Sequence, residues 1–313
     1  MTTARSLFRT CAFRASVVPI IRPSYQCIRH GSSASSTRWL NRQSNDHYNK
    51  QAKVLRLRSR AAFKLLEINE NYGLFKPRMT VVDLGYAPGS WSEVAIDRVS
   101  PGGRVVGLDI LPAQPPKGVS TLQGDFLSPS VQLMLRDFLS DPERGRARAS
   151  VVDKAYIDIE REETSGSHVE NPEKTVDVVL SDMWIPWEPP PKNFLRSLTE
   201  PFRLMNTSGI RFRDHAASMD LCNAALMFCL DVLKPGGHFV CKFYQGAEDS
   251  ILEAKLKKLF TKVHRDKPDS SRKESRELYF VALALKKNVS KAMIEEKRPT
   301  KPAQPPPKEE EEF

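Results

Sequence analysis

The stretch "VVDLGYAPGSWSE", Val81 to Glu93, runs from an apolar segment into a loop with two glycines and then into a helix-like segment. A strand, a tight loop and a helix in this order are typical of the units of doubly wound α/β folds. The dinucleotide fingerprint G-x-G-x-x-G is absent, because the next glycine after Gly85 is Gly89. The phosphate loop G-x-x-x-x-G-K-[ST] also fails, because Ser90 and Trp91 follow Gly89. The loop therefore favours a nucleoside cofactor without a pyrophosphate.

The same alternation continues along the chain and predicts one domain built on a mostly parallel, doubly wound sheet. A basic helical segment is predicted over residues 46–75, and further helices over residues 130–139, 217–233 and "SILEAKLKKLF". The remaining strands are predicted in "PGGRVVGLDIL", "VSTLQGDFL", "TVDVVLSDM", "HFVCKFY" and "RELYFVALAL". In such sheets ligands bind beyond the carboxyl ends of the strands. The loop after Leu84 is thus the expected cofactor-binding loop.

Two aspartates end the next two predicted strands. Asp109 lies 109 − 89 = 20 residues after Gly89, an offset at which an acid accepts hydrogen bonds from ribose hydroxyls. Asp125 ends the following strand, where a carboxylate can receive an adenine amino group. Taken singly, each is as often a helix cap or turn residue. Together they favour S-adenosylmethionine.

Composition bounds the class of protein and its partners. The chain has 313 residues, 40% of them hydrophobic, a net charge of +10 and an isoelectric point near 9.4. The basic balance favours a polyanionic partner such as RNA. No stretch approaches the ~18 consecutive apolar residues of a membrane span. Five cysteines without C-x-x-C spacing and six scattered histidines give no support for a metal site.

The ends of the chain differ in composition from the middle. The first 45 residues hold seven arginines and no acid before Asp46, which is typical of a mitochondrial transit peptide over residues 1–38. The alternative is a disordered basic arm that binds RNA directly. We expect a folded domain over residues 39–286, with insertions at 140–174 and 184–204, and a disordered charged tail over 287–313.

Six blocks occur in a characteristic order: "SRAAFKL", "DLGYAPGSWSE", "LQGDF", "VVLSDM", "KPGGHFVCKFYQG" and "SRELYFVA". They span residues 59–282, and in this order they resemble the FtsJ/RrmJ family of ribose 2′-O-methyltransferases. The resemblance implies a Rossmann-like, S-adenosylmethionine-dependent fold with a seven-stranded sheet and helices on both faces. The chain departs from the usual "DLGAAPGGW" at Tyr86 and Ser90. The usual "SDMAPNxSG" is split after Met183.

The resemblance also implies which residues act. The family's tetrad maps onto Lys64, Asp182, Lys242 and Glu277, with Lys242 as the proton acceptor. The cofactor residues implied by the same blocks are Gly85, Pro88, Gly89, Ser90, Trp91, Asp109, Ile110, Asp125, Phe126 and Asp182. Near neutral pH a lysine base needs a lowered pKa, which a neighbouring Lys64 would supply. Asp182 follows a buried strand, and Lys242 within an apolar strand requires a partner.

The leader, the basic surface and the tetrad together predict a monomeric enzyme of the mitochondrial matrix. Its predicted product is a 2′-O-methylated uridine in large-subunit ribosomal RNA or a pre-ribosomal particle. Predicted RNA contacts are Lys53, Arg56, Arg58 and Arg60, any of which could instead be solvent-facing. The alternatives are a non-catalytic RNA-binding assembly factor and methylation of another RNA such as tRNA. A nicotinamide-dependent reductase is disfavoured by the absent dinucleotide fingerprint.

Overall fold

The computed structural model describes Ser44 and residues 46–146, 174–187 and 206–294. Its helices are α1 (His47–Val54), α2 (Ala61–Tyr72), α3 (Ser90–Val99), α4 (Pro129–Ser140), α5 (Arg211–Val232) and α6 (Asp249–Leu259), with a 3₁₀ turn at Lys291–Met293. Its strands are β1 (Thr80–Leu84), β2 (Arg104–Asp109), β3 (Val119–Gln123), β4 (Val176–Ser181), β5 (Leu233–Tyr244), β6 (Phe260–Asp266) and β7 (Glu277–Leu285). The predicted leader, the end of the tail and most of both predicted insertions lie outside the described residues.

The seven strands form one sheet in the order β3-β2-β1-β4-β5-β7-β6. The first five pair in parallel, and β7 is antiparallel to both of its neighbours. Alternate residues of a strand enter two separate hydrophobic clusters: Val82 packs with α5 and α6, whereas Val81 packs with α2 and α3. Helices therefore cover both faces, and the predicted doubly wound sheet is confirmed.

Strand β6 was not predicted from the sequence. Its residues "FTKVHRD" are mostly charged or polar, and only Phe260 is buried. The strand lies at the edge of the sheet and pairs only with β7. An edge strand with one solvated face lacks the apolar pattern by which buried strands are recognised, and charges on it oppose association with other chains.

Three element boundaries also differ from the prediction. The segment 46–75 is two helices, since the chain turns at Leu55 and Arg56 has a φ of 56°. Helix α5 begins at Arg211 rather than at residue 217, with Asp214 accepting hydrogen bonds from the amide and hydroxyl of Ser208. The fold continues beyond residue 286, because Ile294 is buried in the core and Lys291 pairs with Asp231.

Arg104 is a wholly buried cation that fastens the end of α4. Its guanidinium donates to the carbonyls of Leu139, Asp141 and Arg144 at 3.1, 2.5 and 3.0 Å. Burial, with Arg146 nearby, lowers the pKa of Arg104 to about 10, so it remains charged at neutral pH. The residue therefore stabilises the carboxyl end of α4 and the turn that follows it.

We expect Arg104→Met to lower the free energy of unfolding by roughly 3 kcal/mol, because three carbonyls, that of the buried Leu139 among them, lose a charged donor. Urea unfolding measures this loss. Arg98→Met, on an arginine whose side chain is 44% exposed, is the matched control and should change stability by less than about 0.5 kcal/mol. Equal stabilities of the two variants would show that the Arg104 contacts contribute little.

Candidate active site

The loop between β1 and α3 adopts a backbone that only glycine accepts easily. Gly85 and Gly89 have φ values of 80° and 105°, in the left-handed region. A Cβ atom on Gly85 would lie 2.9 Å from the Cα of Met183, and one on Gly89 would lie 3.0 Å from Pro116. Both positions thus need glycine for conformation and for the close approach of Met183 and Pro116.

A cavity of about 370 Å³ opens beside this loop. Five of the ten predicted cofactor residues line it: Gly85, Asp109, Ile110, Asp125 and Phe126. The other lining residues are Ala87, Leu108, Leu111, Gly124, Leu127, Met183, Trp184, Ile185, Pro186 and Leu221. The cavity is large enough to hold a nucleoside-sized ligand.

Asp109 holds two parts of the cavity wall together. Its Oδ2 accepts from the amide of Ala87 at 3.0 Å and its Oδ1 from the amide of Leu111 at 2.8 Å. Burial raises the pKa of Asp109, although these amide hydrogen bonds oppose the rise. Asp125 is more exposed and accepts from the amide of Leu127 at 2.9 Å. A carboxylate has about four acceptor positions, so both can accept further hydrogen bonds from a ligand.

Two predicted cofactor residues point elsewhere. The Oγ of Ser90 lies 2.7 Å from the Oγ of Ser59. The Trp91 indole donates to the carbonyl of Ala61 at 3.0 Å and packs 5.6 Å from the Tyr279 ring. Both side chains are buried and join the start of α3 to the residues at the start of α2. Their observed contacts are structural.

The start of the predicted insertion at 184–204 lines the cavity. Trp184, Ile185 and Pro186 contribute to the wall, and the guanidinium of Arg213 lies 4.4 Å from the centre of the Trp187 ring. This contact attaches the segment to α5. Sequence reasoning treated the segment as an insertion that splits a motif and missed its part in the cavity. The feature that could have indicated this part in the cavity is the position of the segment, directly after the carboxyl end of β4.

The four predicted catalytic residues come together as two ion pairs. Lys242 Nζ lies 3.0 Å from Asp182 Oδ1 and donates to the backbone carbonyl of Asp182 at 2.8 Å. Lys64 Nζ lies 2.5 Å from Glu277 Oε1. Strands β4, β5 and β7 are neighbours, and Tyr244 on β5 pairs with Glu277 on β7. The sheet therefore brings together side chains that are far apart in sequence.

The charge on Lys242 differs from the expectation. Burial lowers its pKa, but the Asp182 carboxylate, with Tyr244 and Glu277, outweighs burial and raises the pKa above its ordinary value. The predicted lowering by Lys64 is wrong, because Lys64 is neutralised by Glu277. Glu277 in turn has a lowered pKa, since the charges of Lys64 and Lys242 outweigh its burial. The resting site is thus a set of ionised pairs.

Two tyrosines border these pairs and were missed from the sequence. Tyr279 is fully buried, with its hydroxyl 3.5 Å from Asp182 Oδ1, and burial raises its pKa well above the ordinary value. Tyr244 donates to the carbonyl of Asn206 at 3.3 Å. The alternation of side chains along a strand could have indicated both tyrosines. Tyr244 follows Lys242 on β5 by two residues, and Tyr279 follows Glu277 on β7 by two, so each shares a face with a tetrad residue.

Asp83 is a buried carboxyl beneath the loop. Its Oδ2 accepts from the Ser92 hydroxyl at 2.5 Å, and its Oδ1 has no hydrogen-bond partner among the described residues. Burial raises its pKa to about 7, and the neighbouring charges of Asp182 and Asp109 add to the rise. The folded protein therefore keeps a proton on Asp83 between about pH 4 and 7, where the unfolded chain releases it.

The free energy of unfolding should consequently fall as pH rises from about 4 to 7, by up to roughly 4 kcal/mol from this group, and stay level above that range. Asp83→Asn removes this titration. The free energy of unfolding of the variant should therefore increase relative to that of the wild type as pH rises. Urea unfolding at several pH values between 4 and 8 measures the difference. Parallel profiles for the two proteins would contradict the assignment.

The predicted RNA contacts divide into two kinds. Lys53 and Arg56 are exposed. Arg60 is paired with Asp46 and donates to the carbonyl of Ser270. The side chain of Arg58 donates to three backbone carbonyls. Protein acceptors therefore hold the guanidinium groups of Arg58 and Arg60, and contact with RNA stays a prediction for all four residues.

Other classes of site find little support in the described part of the chain. There, no cluster of three or more His, Cys, Asp or Glu side chains could hold a metal ion. None of the helices described is long and apolar enough to cross a membrane. Cys222, Cys229 and Cys241 are buried free thiols, and burial raises the pKa of the last two.

An open sheet with five parallel strands, a glycine loop after β1 and acids after β2 and β3 defines a Rossmann-like α/β protein with a nucleoside-type cavity. Comparison with known proteins identifies the family within this class. Residues 57–285 match the family described as FtsJ-like methyltransferase. The chain belongs to this family and is a methyltransferase.

Three relatives illustrate the similarity. The chain is 41% identical over 295 residues to "rRNA methyltransferase 2, mitochondrial" of Saccharomyces cerevisiae, covering 84% of this chain and 92% of that protein. It is 38% identical to the protein of the same name from Schizosaccharomyces pombe, covering 79% and 95%. It is also 38% identical to "Ribosomal RNA large subunit methyltransferase E" of Paramagnetospirillum magneticum, covering 80% and 84%.

Proposed function

We propose that the protein transfers a methyl group from S-adenosylmethionine to the ribose 2′-hydroxyl of a uridine in mitochondrial large-subunit ribosomal RNA. The observation that carries this is the pair of the buried Lys242 with Asp182, which directly precedes Met183 in the cavity wall. A basic group and a nucleoside-sized cavity thus adjoin at the carboxyl ends of β4 and β5.

The cavity residues fit the cofactor chemically. Asp109 and Asp125 line the cavity and have acceptor positions left, to which we assign the ribose hydroxyls and the adenine amino group. Ile110, Phe126 and Trp184 offer apolar surface for the adenine ring. The glycines allow the backbone near Ala87 to approach closely. When bound, S-adenosylmethionine supplies an electrophilic methyl group on a cationic sulfur.

Lys242 is the group we assign to the substrate hydroxyl. Two of its three hydrogen-bonding positions face the Asp182 carboxylate and carbonyl, which leaves one for the hydroxyl. As an ammonium it orients the hydroxyl oxygen by donating to it. As a neutral amine it would accept the hydroxyl proton, and the positive charge of a bound cofactor would favour that form by opposing the raised pKa of Lys242.

The other tetrad members have positioning roles in this proposal. Asp182 fixes the direction of the Lys242 side chain, and the Lys64–Glu277 pair borders the site without adding net charge. Because the raised pKa disfavours the neutral amine at rest, alignment of the hydroxyl contributes more than proton removal.

The substrate and compartment are inferred from the relatives. Two fungal relatives carry "mitochondrial" in their names, and the bacterial relative is named for the large ribosomal subunit RNA. The acid-free, arginine-rich first 45 residues agree with import into the matrix. The net charge of +10 suits an RNA partner.

Incubation of the full chain with methyl-labelled S-adenosylmethionine and RNA transcripts tests the proposal. We expect label in mitochondrial large-subunit rRNA, recovered after nuclease digestion as 2′-O-methyluridine, and little in tRNA. Label in tRNA alone would favour the other-RNA alternative. RNA binding without any transfer would favour the assembly-factor alternative.

A further inference from the structure

We infer that Arg58 is a positioning residue of the cofactor cavity, which it holds by clamping together the two loops on one side of it. Its Nη1 donates to the carbonyls of Pro88 at 2.9 Å and Gln114 at 2.5 Å, and its Nη2 donates to the carbonyl of Pro115 at 3.0 Å. This inference rests on the proposed use of the cavity for S-adenosylmethionine.

The two clamped loops each continue directly into the cavity wall. Pro88 follows Ala87, and residues 114–115 follow the wall residues Ile110 and Leu111. The Tyr86 hydroxyl donates to the carbonyl of Ala113 at 2.7 Å, which joins the same two loops a second time. Neither loop is part of a strand, so these side-chain contacts take the place of strand pairing between them.

The main chain of Arg58 is itself fixed. Its amide donates to Glu93 Oε2 on α3 at 3.1 Å, and the neighbouring Ser59 hydroxyl contacts Ser90. Helix α2 begins at Ala61 and carries Lys64. Residues 58–61 therefore connect the cofactor loop to the helix that bears a tetrad lysine, and a shift of Arg58 would alter both.

This role differs from the one that the sequence suggested. Backbone carbonyls hold three of the five N–H donors of the Arg58 guanidinium, so the protein fixes the direction of this group. Arg56 offers the contrast: both arginines are exposed, but no side-chain hydrogen bond or ion pair holds Arg56 within the described residues. The two arginines differ by two positions in sequence and should differ in what they affect.

The test compares Arg58→Gln with Arg56→Gln in the full chain. We expect Arg58→Gln to raise the Kd for S-adenosylmethionine, measured by calorimetry, by about tenfold or more, because the loops lose their preorganisation. Its Kd for rRNA and the salt dependence of RNA binding should stay at wild-type values. Arg56→Gln should leave the cofactor Kd unchanged. In steady state, Arg58→Gln should raise the KM for cofactor and leave the KM for RNA unaltered.

Arg58→Lys keeps the charge but has one ammonium in place of the planar fork, so it should also weaken cofactor binding. If Arg58→Gln does not fold, Arg58→Lys replaces it in the test. A cofactor Kd within about twofold of wild type in both variants would overturn the inference, because preorganisation by Arg58 would then contribute almost nothing. So would a loss confined to RNA binding with the salt slope reduced by about 0.7 to 0.9, the sign of a phosphate contact.

The outcomes separate this inference from the proposed function. A wild-type protein that binds the cofactor and methylates no RNA would contradict the proposed function. In that case the ratio of cofactor affinities between wild type and Arg58→Gln would still decide the role of Arg58.

Discussion

Replacing Lys242 by methionine should lower the rate of methyl transfer to RNA by roughly a hundredfold or more, because misalignment of a reacting group by about 1 Å can already cost that much. Lys242 is buried on β5, and the Asp182 carboxylate and carbonyl hold its ammonium. Methionine fills a similar volume without the charge or the donors. The reacting hydroxyl then loses the group that orients it, whereas the cavity lined by Asp109 and Asp125 stays intact.

The matched control is Lys262→Met on the edge strand β6, where the lysine is exposed. That variant should methylate RNA at the wild-type rate. The Kd of Lys242→Met for S-adenosylmethionine should stay within a few-fold of wild type, about 1 kcal/mol or less. A rate within about threefold of wild type would contradict the assignment, since the lost transition-state interaction would then be under 1 kcal/mol.

The second large effect is expected at Asp109. Asp109→Ala should weaken S-adenosylmethionine binding on the order of a hundredfold, because it removes the acceptor for a ribose hydroxyl and frees the amides of Ala87 and Leu111. Asp109→Asn keeps one carbonyl oxygen and should be intermediate. Calorimetry with S-adenosylmethionine measures both.

Asp125→Ala serves as the comparison, because Asp125 is exposed and makes a single amide hydrogen bond to Leu127. Its effect on the Kd should be smaller than that of Asp109→Ala. If the two variants bind equally well, or if Asp109→Ala binds as tightly as wild type, Asp109 does not organise the cavity. Thermal melting without cofactor controls for a general loss of structure.

The sequence was sufficient for the framework of this site. Apolar strands that end in "DLG", "LDIL", "QGDF" and "LSDM" placed Asp109, Asp125 and Asp182 at one edge of a parallel sheet, and the structure has them there. This works because parallel strands all present their carboxyl ends to the same edge. The six blocks then identified the lysines and the glutamate that belong with Asp182.

The partners of each charge could not be predicted, because they are distant in sequence. Lys64 meets Glu277 across 213 positions, and Arg60 meets the carbonyl of Ser270 across 210. The pKa of Lys242 depends on such pairing, so its predicted direction was wrong. Arg58 was predicted as an RNA contact for the same reason, because the sequence does not show which backbone carbonyls accept its hydrogen bonds.

The central claim is that the protein methylates a ribose of mitochondrial large-subunit rRNA and that this reaction depends on Lys242. Its most direct test is mass spectrometry of that rRNA from cells in which Lys242→Met is the only form of the protein, expressed at the wild-type level. We predict that one uridine methylated in wild-type cells loses its 2′-O-methyl group, while every other modification stays. Unchanged 2′-O-methylation at every position would contradict the account.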